Sequence, residues 1–172
     1  MKSLFTFFLI LLTTICGAQD FFTKGKGPFN TNIPSPEAFL GYEVGSHHTR
    51  HDQIVAYLTR LAELSDRAEI TTYGKTYEHR PLVILTISDP THINDLESLQ
   101  ERHLKATQPG ATLDQGLPIF INLGYNVHGN EPSSSEAALL TAYILVASES
   151  EEVKNYLKES VIFVDPTINP DG

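Results

Sequence analysis

In the segment FINLGYNVHGNEPSSSEAALLTAYIL, residues 120–145, His128 and Glu131 combine residue types and a spacing that can do chemistry. Imidazole is the commonest metal ligand among side chains, and a carboxylate completes a nitrogen–oxygen donor set of the kind zinc accepts. Gly129 allows a tight turn, and such a turn brings side chains three apart onto one point. A structural reading stands beside the metal reading. A short H-x-x-E can be a turn histidine followed by a carboxylate that sits at the positive end of a helix dipole.

The flanking residues place this pair at a junction. LPIFINLG, residues 117–124, is a short apolar run bounded by Pro and Gly and reads as a buried strand. Residues 135–148 are apolar nearly all round and read as a buried helix. Two starts are open to that helix. Ser133 and Glu136 fit a capping box, whereas Pro132 fits the first helical position and would leave Glu131 just outside. Under both, His128 lies in the loop and Glu131 at the helix entrance. Ends of strands that feed helices are where α/β proteins place ligands. Ser133 to Ser135 lack a G-x-S-x-G elbow, so capping is the expected use of these hydroxyls.

The remaining elements follow from periodicity and punctuation. Residues 20–46 are crowded with Gly and Pro and read as an irregular arm. In residues 51–67, Ile54, Leu58, Leu61 and Leu64 recur at helical spacing, with Val55 and Tyr57 widening the stripe. Residues 69–77 and 82–87 read as two strands joined by a turn around Glu78–Arg80, with Pro81 at the start of the second. Residues 89–106 read as one helix, 107–116 as a loop, 151–160 as a short polar helix and 161–167 as a buried strand. Strands alternating with helices predict an α/β fold, a mixed sheet covered by helices on both faces.

Composition narrows the function. The 172 residues carry 12 Lys and Arg against 21 Asp and Glu, a formal net charge of −9. That balance argues against a nucleic-acid binder, which presents a basic face. The first residues have the layout of an export signal: Lys2, an apolar run from Leu4 to Ile15, then small residues, with cleavage expected after Ala18. The run is shorter than the roughly 20 residues of a membrane span. A lipid anchor on Cys16 is the alternative, but bulky Ile15 suits that cleavage site poorly. The expected location is therefore secreted or periplasmic. Cys16 is the single cysteine, so a mature chain without it has neither disulfides nor a cysteine zinc site. Any metal would be held by His, Asp or Glu.

Three segments together resemble the zinc carboxypeptidases of the carboxypeptidase A type. HGNEPSSSEAAL, from His128, looks like that family's H-x-x-E after a central strand, which supplies two zinc ligands. Residues 169–172, NPDG, stand about forty residues later after another strand, as an Asn-Pro-Asp-Gly segment does in the family. Upstream, YGKTYEHRPLVILTIS is similar to the family's early hairpin; Glu78 and Arg80 match its pattern, and His79 stands where the family often has Gly. The resemblance covers about residues 40–172. It implies an α/β/α fold, a zinc ion held by His128 and Glu131, and hydrolysis of a peptide substrate near its C-terminus.

The same resemblance implies parts that lie elsewhere. The family's third zinc ligand, a second histidine, comes well beyond the Asn-Pro-Asp-Gly segment. So do its carboxylate-clamping arginine and its general-base glutamate. The expectation is that residues 1–18 are a signal peptide, 19–46 an arm and 47–172 the N-terminal part of a longer catalytic domain, inactive alone. His47, His48 and His51 could serve as upstream ligands, but a polar helix entrance is the expected role for them; His79, His92 and His103 fall in turn and surface-helix contexts. Asn130 lies where well-studied members carry a substrate-contacting arginine, and Asn cannot pair bidentately with a carboxylate. Two alternatives remain open: a secreted binding domain of the same fold without catalysis, and a zinc amide hydrolase acting on a non-peptide substrate. Oligomeric state is not legible.

Overall fold

The computed structural model of the protein describes residues 18–112 and 114–172. The export signal read over residues 1–18 lies outside the described residues, Ala18 excepted. Eleven elements run in the order α1 (Ala18–Thr23), α2 (Pro36–Leu40), α3 (His51–Leu64), β1 (Ala68–Lys75), β2 (Pro81–Ile87), α4 (Pro90–Ile93), α5 (Leu96–Ala106), β3 (Ile119–Gly124), α6 (Pro132–Ala147), α7 (Glu151–Glu159) and β4 (Ser160–Asp165) among the described residues. The sheet order is β1-β2-β4-β3. β1 pairs with β2, and β2 with β4, antiparallel; β3 and β4 are parallel. The sheet is mixed, as predicted.

Its two faces are built from alternating residues. On one face Ala68, Leu85, Ile87, Ile162 and Val164 join Ile54, Tyr57, Leu58 and Leu61 of α3 and Ala138, Leu139, Ala142 and Val146 of α6 in a single core cluster. Leu58 and Leu61 are fully buried, so truncating either to Ala would cost about 2–5 kcal/mol. On the other face the ring of Phe120 lies 4.5 Å from that of His103 on α5 and 6.2 Å from that of Phe163. Helices thus cover both faces. The buried helix read between the last two strands is α6, with eight buried residues among sixteen.

Three expectations are corrected. The strand read as buried over residues 117–124 is β3, which lies at the end of the sheet order with Ile119 and Ile121 exposed. The segment read as one helix over residues 89–106 is two, α4 and α5. Asp89 caps the first through Thr91 N at 3.0 Å, and the Asn94 side chain turns back onto Pro90 O at 2.8 Å. Asn and Asp offer the backbone these local alternatives to helix, and the break falls at Asn94–Asp95. The arm read as irregular contains α1 and α2. Ser35 Oγ accepts from Ala38 N at 3.2 Å, Pro36 opens α2, and Gly41 closes it in the left-handed conformation at φ 81°. The arm is docked rather than loose: Tyr57 Oη donates to Pro34 O at 3.1 Å, and Asn30 N to Ala147 O at 2.8 Å.

The strand directions bring four pieces of chain to one end of the sheet. These are the exits of β3 and β4, the β1–β2 turn, and the N-terminus of α3. Among the described residues, no helix is long and apolar enough to cross a membrane.

Candidate metal centre

The chain leaves β3 at Gly124 and turns sharply at Asn126, which is buried and holds φ at 52°. Asn tolerates this left-handed conformation better than most residues. Asn126 N donates to Ser134 Oγ at 2.7 Å. With the amide oriented to match each donor to an acceptor, its nitrogen donates to the carbonyl oxygens of His128 at 2.8 Å and Glu131 at 3.0 Å. Its oxygen then accepts from Ser135 Oγ at 3.2 Å. One buried side chain therefore ties together both ends of the H-x-x-E loop. Glu131 N closes the loop by donating to His128 O at 2.9 Å.

The helix-start ambiguity resolves toward Pro132. It occupies the first turn of α6, and Glu131 is the residue just outside, with no capping bond from its side chain. The Ser133–Glu136 capping box does not form; Glu136 is buried and its Oε1 accepts from Thr49 N at 2.8 Å instead. The Glu131 carboxylate is thus left for His128. His128 Nδ1 lies 3.2 Å from Glu131 Oε2, with both side chains more than half exposed.

That separation is a test of fit. Ligand atoms about 2.0–2.1 Å from a tetrahedral zinc lie roughly 3.3–3.4 Å from each other. The imidazole nitrogen and carboxylate oxygen suit zinc in type, and their separation, as it stands that of a direct His128–Glu131 hydrogen bond, is also close to that spacing. The pair supplies two donors, and among the described residues no group of three or more His, Cys, Asp and Glu could hold a metal. His128 and Glu131 fit two of the three protein positions of a catalytic zinc.

The other histidines lie elsewhere. His47 packs its ring 3.8 Å from that of Tyr42, and His92 Nδ1 lies 2.9 Å from Ser88 Oγ. His51 Nε2 lies 2.7 Å from Pro81 O, so that nitrogen carries the proton. His103 covers Phe120. His79 sits in the β1–β2 turn at φ 62°.

The NPDG segment and the hairpin turn buttress the loop from below. Asn169 N donates to Asn126 O at 3.1 Å, and Ile168 N to Tyr125 O at 3.0 Å. Arg80 reaches across from the turn to donate to Pro170 O, with Asp171 Oδ1 3.7 Å from its guanidinium. Glu78 N donates to Asp171 Oδ2 at 3.2 Å. Gly129 meets this segment so closely that a Cβ there would lie 2.3 Å from Asn169 O. Nearby, Tyr73 Oη donates to Asp165 Oδ2 at 2.7 Å; burial first, then Asp165, pushes the phenol up to about 12. A cavity of about 730 Å3 opens beside Gly129, between His51, His79 and Pro170. His128 and Glu131 stand outside it, toward solvent.

The sequence singled out His128, Glu131, Glu78 and Arg80. It did not single out Asn126, whose signal was only an Asn just past a strand end, a common turn position. Nor did it pair Tyr73 with Asp165.

Comparison with known proteins follows this geometry. The sequence pattern of the zinc carboxypeptidases matches residues 54–172. The crystal structure of thrombin activatable fibrinolysis inhibitor superposes with a TM-score of 0.54 at 17% identity, over 73% of this chain and 26% of that one. Carboxypeptidase A from Helicoverpa armigera does so with a TM-score of 0.53 at 16% identity, over 90% of this chain and 31% of that one. At these identities the likeness is one of fold. The chain spans between a quarter and a third of the length of either solved protein. The comparison with curated proteins returned no match.

Proposed function

The chain belongs to the zinc carboxypeptidase family, and from that premise we propose that the protein hydrolyses peptides near their C-terminus with His128 and Glu131 as two of its zinc ligands. The observation that carries this reading is the 3.2 Å approach of His128 Nδ1 to Glu131 Oε2 in an exposed loop between β3 and α6. Zinc in such a site supplies Lewis-acid polarisation of a carbonyl and activation of water near neutral pH.

The residues of this chain do the holding and aiming. Glu131 stands at the N-terminus of α6, where its carboxylate projects from the helix entrance toward His128. For His128 Nδ1 to serve as a ligand, its proton must reside on Nε2. Asn126 fixes the two backbone carbonyls of the loop, and the Arg80-anchored NPDG segment presses on it at Gly129. Both the third ligand and the general base are proposed to lie where the resemblance to the family places them, beyond the Asn-Pro-Asp-Gly segment at residues 169–172. The substrate is a peptide met outside the cytoplasm, the N-terminal segment acting as a cleaved export signal; Edman sequencing of the native protein should begin at Gln19.

The test uses the full-length protein. His128→Ala and Glu131→Ala should each abolish carboxypeptidase turnover and reduce bound zinc while leaving the thermal midpoint near wild type, since both side chains are exposed. Normal zinc content and rate in either variant would remove that residue from the site. Full zinc loading with no turnover on any peptide would favour a binding domain, or an amide hydrolase with a non-peptide substrate.

A further inference from the structure

A second cavity, of about 410 Å3, lies between the N-terminal arm and the first turns of α6. We propose that it is a substrate subsite, which takes an aromatic or branched aliphatic side chain lying N-terminal to the bond that is cut. The proposal rests on the peptidase reading for the identity of its occupant, a peptide, and adds a selectivity to it.

One wall of the cavity is the helix that begins at the candidate metal centre. Pro132, Glu136 and Leu140 recur every four residues along one side of α6, with Ser133 and Ala137 beside them, and all five line the cavity. Neither proposed ligand does, but Pro132 directly follows Glu131, and consecutive Cα atoms are about 3.8 Å apart. The cavity therefore begins one residue from a metal donor. An extended peptide advances about 3.3–3.6 Å per residue, so a peptide engaged at the H-x-x-E loop carries side chains within reach of this opening.

The walls present apolar surface that is still wet. Phe22, Val44, Pro132 and Ala137 are each only partly buried, and seating an apolar side chain removes their open surface from water. Glu136 adds no polar contact: its Oε1 takes the Thr49 N–H at 2.8 Å, and its Oε2 is enclosed in protein. A basic side chain thus finds no open carboxylate oxygen here. The C-terminal residue of a substrate is also a poor fit. It carries its carboxylate on the same Cα as its side chain, and among the described residues no Lys or Arg lines the cavity to pair with that anion. Residues upstream of the cut bond bring only neutral amides, which leaves their apolar side chains as the matching occupants.

Calorimetry on the zinc-loaded full-length protein tests the proposal with peptides that cannot be cut, the scissile amide being replaced by a ketomethylene group. In acetyl-Gly-X-Leu and acetyl-X-Gly-Leu the variable residue lies upstream of that bond, and in acetyl-Gly-Gly-X it lies at the C-terminus. In one upstream series Phe or Leu should bind at least tenfold tighter than Gly, and Asp and Lys no tighter than Gly. Val44→Asp should lower that Phe-to-Gly ratio at least fivefold, and a ratio taken within one protein cancels any general loss of affinity. Ala137→Leu, which narrows the cavity from the helix side, should act the same way and decides the matter if Val44→Asp does not fold. No upstream preference, or a preference that a folded variant retains in full, would overturn the proposal, as would an effect of the variants confined to the C-terminal series. The cleavable amide counterparts separate the two readings. Selective binding without turnover would overturn the peptidase and leave the pocket, and turnover without upstream selectivity would overturn the pocket and leave the peptidase.

Discussion

Gly129→Ala probes the candidate metal centre without touching either donor. An ideal Cβ at this position would lie 2.3 Å from Asn169 O and 2.6 Å from both Cα and N of Gly172. Ordinary contact begins at about 3.4 Å, so one strand of chain must retreat by roughly 1 Å. All three clashing atoms are backbone, and no side-chain rotation relieves them. The NPDG segment is held by Asn126 O and by Arg80, so the yielding partner is the exposed H-x-x-E loop. Overpacking of this kind costs about 1–3 kcal/mol of stability. The larger effect should fall on the metal. His128 and Glu131 flank Gly129, and disturbing the groups that orient a ligand typically lowers metal affinity 10- to 100-fold. Zinc affinity measured by chelator competition on the full-length protein, beside a urea denaturation series, checks both numbers. A variant that loses stability yet binds zinc as tightly as wild type would refute the reasoning, because the loop would have moved without disturbing the metal.

Burial of Tyr73, and then its bond to Asp165, should make stability fall at high pH. The phenol is raised from 10.0 to about 12 in the fold, so above pH 10 the unfolded chain releases its proton first and stability drops between about pH 10 and 12. Burial also raises the Tyr57 and Tyr143 phenols, so Tyr73→Phe should reduce that slope rather than remove it, and cost about 1 kcal/mol at pH 7, both read from urea denaturation across pH. His79→Gly should raise the thermal midpoint. A non-glycine residue at φ 62° costs about 1–2 kcal/mol, more than the roughly 0.5–1 kcal/mol of added chain entropy that Gly brings, and a lowered midpoint would show that the His79 side chain contributes more than its backbone costs. Ile119 is 66% exposed on β3, an edge strand, so Ile119→Lys in a polypeptide of residues 19–172 should reduce light scattering while shifting stability by less than about 0.5 kcal/mol.

The parts of the fold legible in sequence are those in which one physical signal dominates. Helix α3 is written in Ile54, Leu58 and Leu61, and the structure buries all three. The β1–β2 hairpin is written in two apolar runs around Glu78–Arg80, and β2, β3 and β4 in runs bounded by Pro, Gly or Asp. Elements set by competition between nearby polar groups were less visible. The break between α4 and α5 depends on whether Asn94 bonds to Pro90 O or leaves the helix to continue, and both choices carry the same hydrophobic period. Helix α2 is five residues long, too short for periodicity, and shows only through its caps. Strand order could not be read at all, because β4 inserts between β2 and β3 through contacts distant in sequence.

The site divides along the same line. His128 and Glu131 were visible because a metal needs ligating residue types at a turn spacing, and that requirement is local. Their support is not local. Asn126 acts through a left-handed backbone and an amide that spans both ends of the loop. Arg80 acts across some ninety residues of sequence on Pro170 O. His79 shows how the two levels connect. The position is one where glycine is expected from resemblance alone, and the structure supplies the reason in its positive φ. The turn that carries this conformation also projects Arg80 toward the NPDG segment, which presses on Gly129 between the two donors. A backbone requirement at residue 79 and a steric one at residue 129 are therefore ends of one chain of contacts, and its purpose in the proposed enzyme is to hold His128 and Glu131 at a zinc-compatible separation.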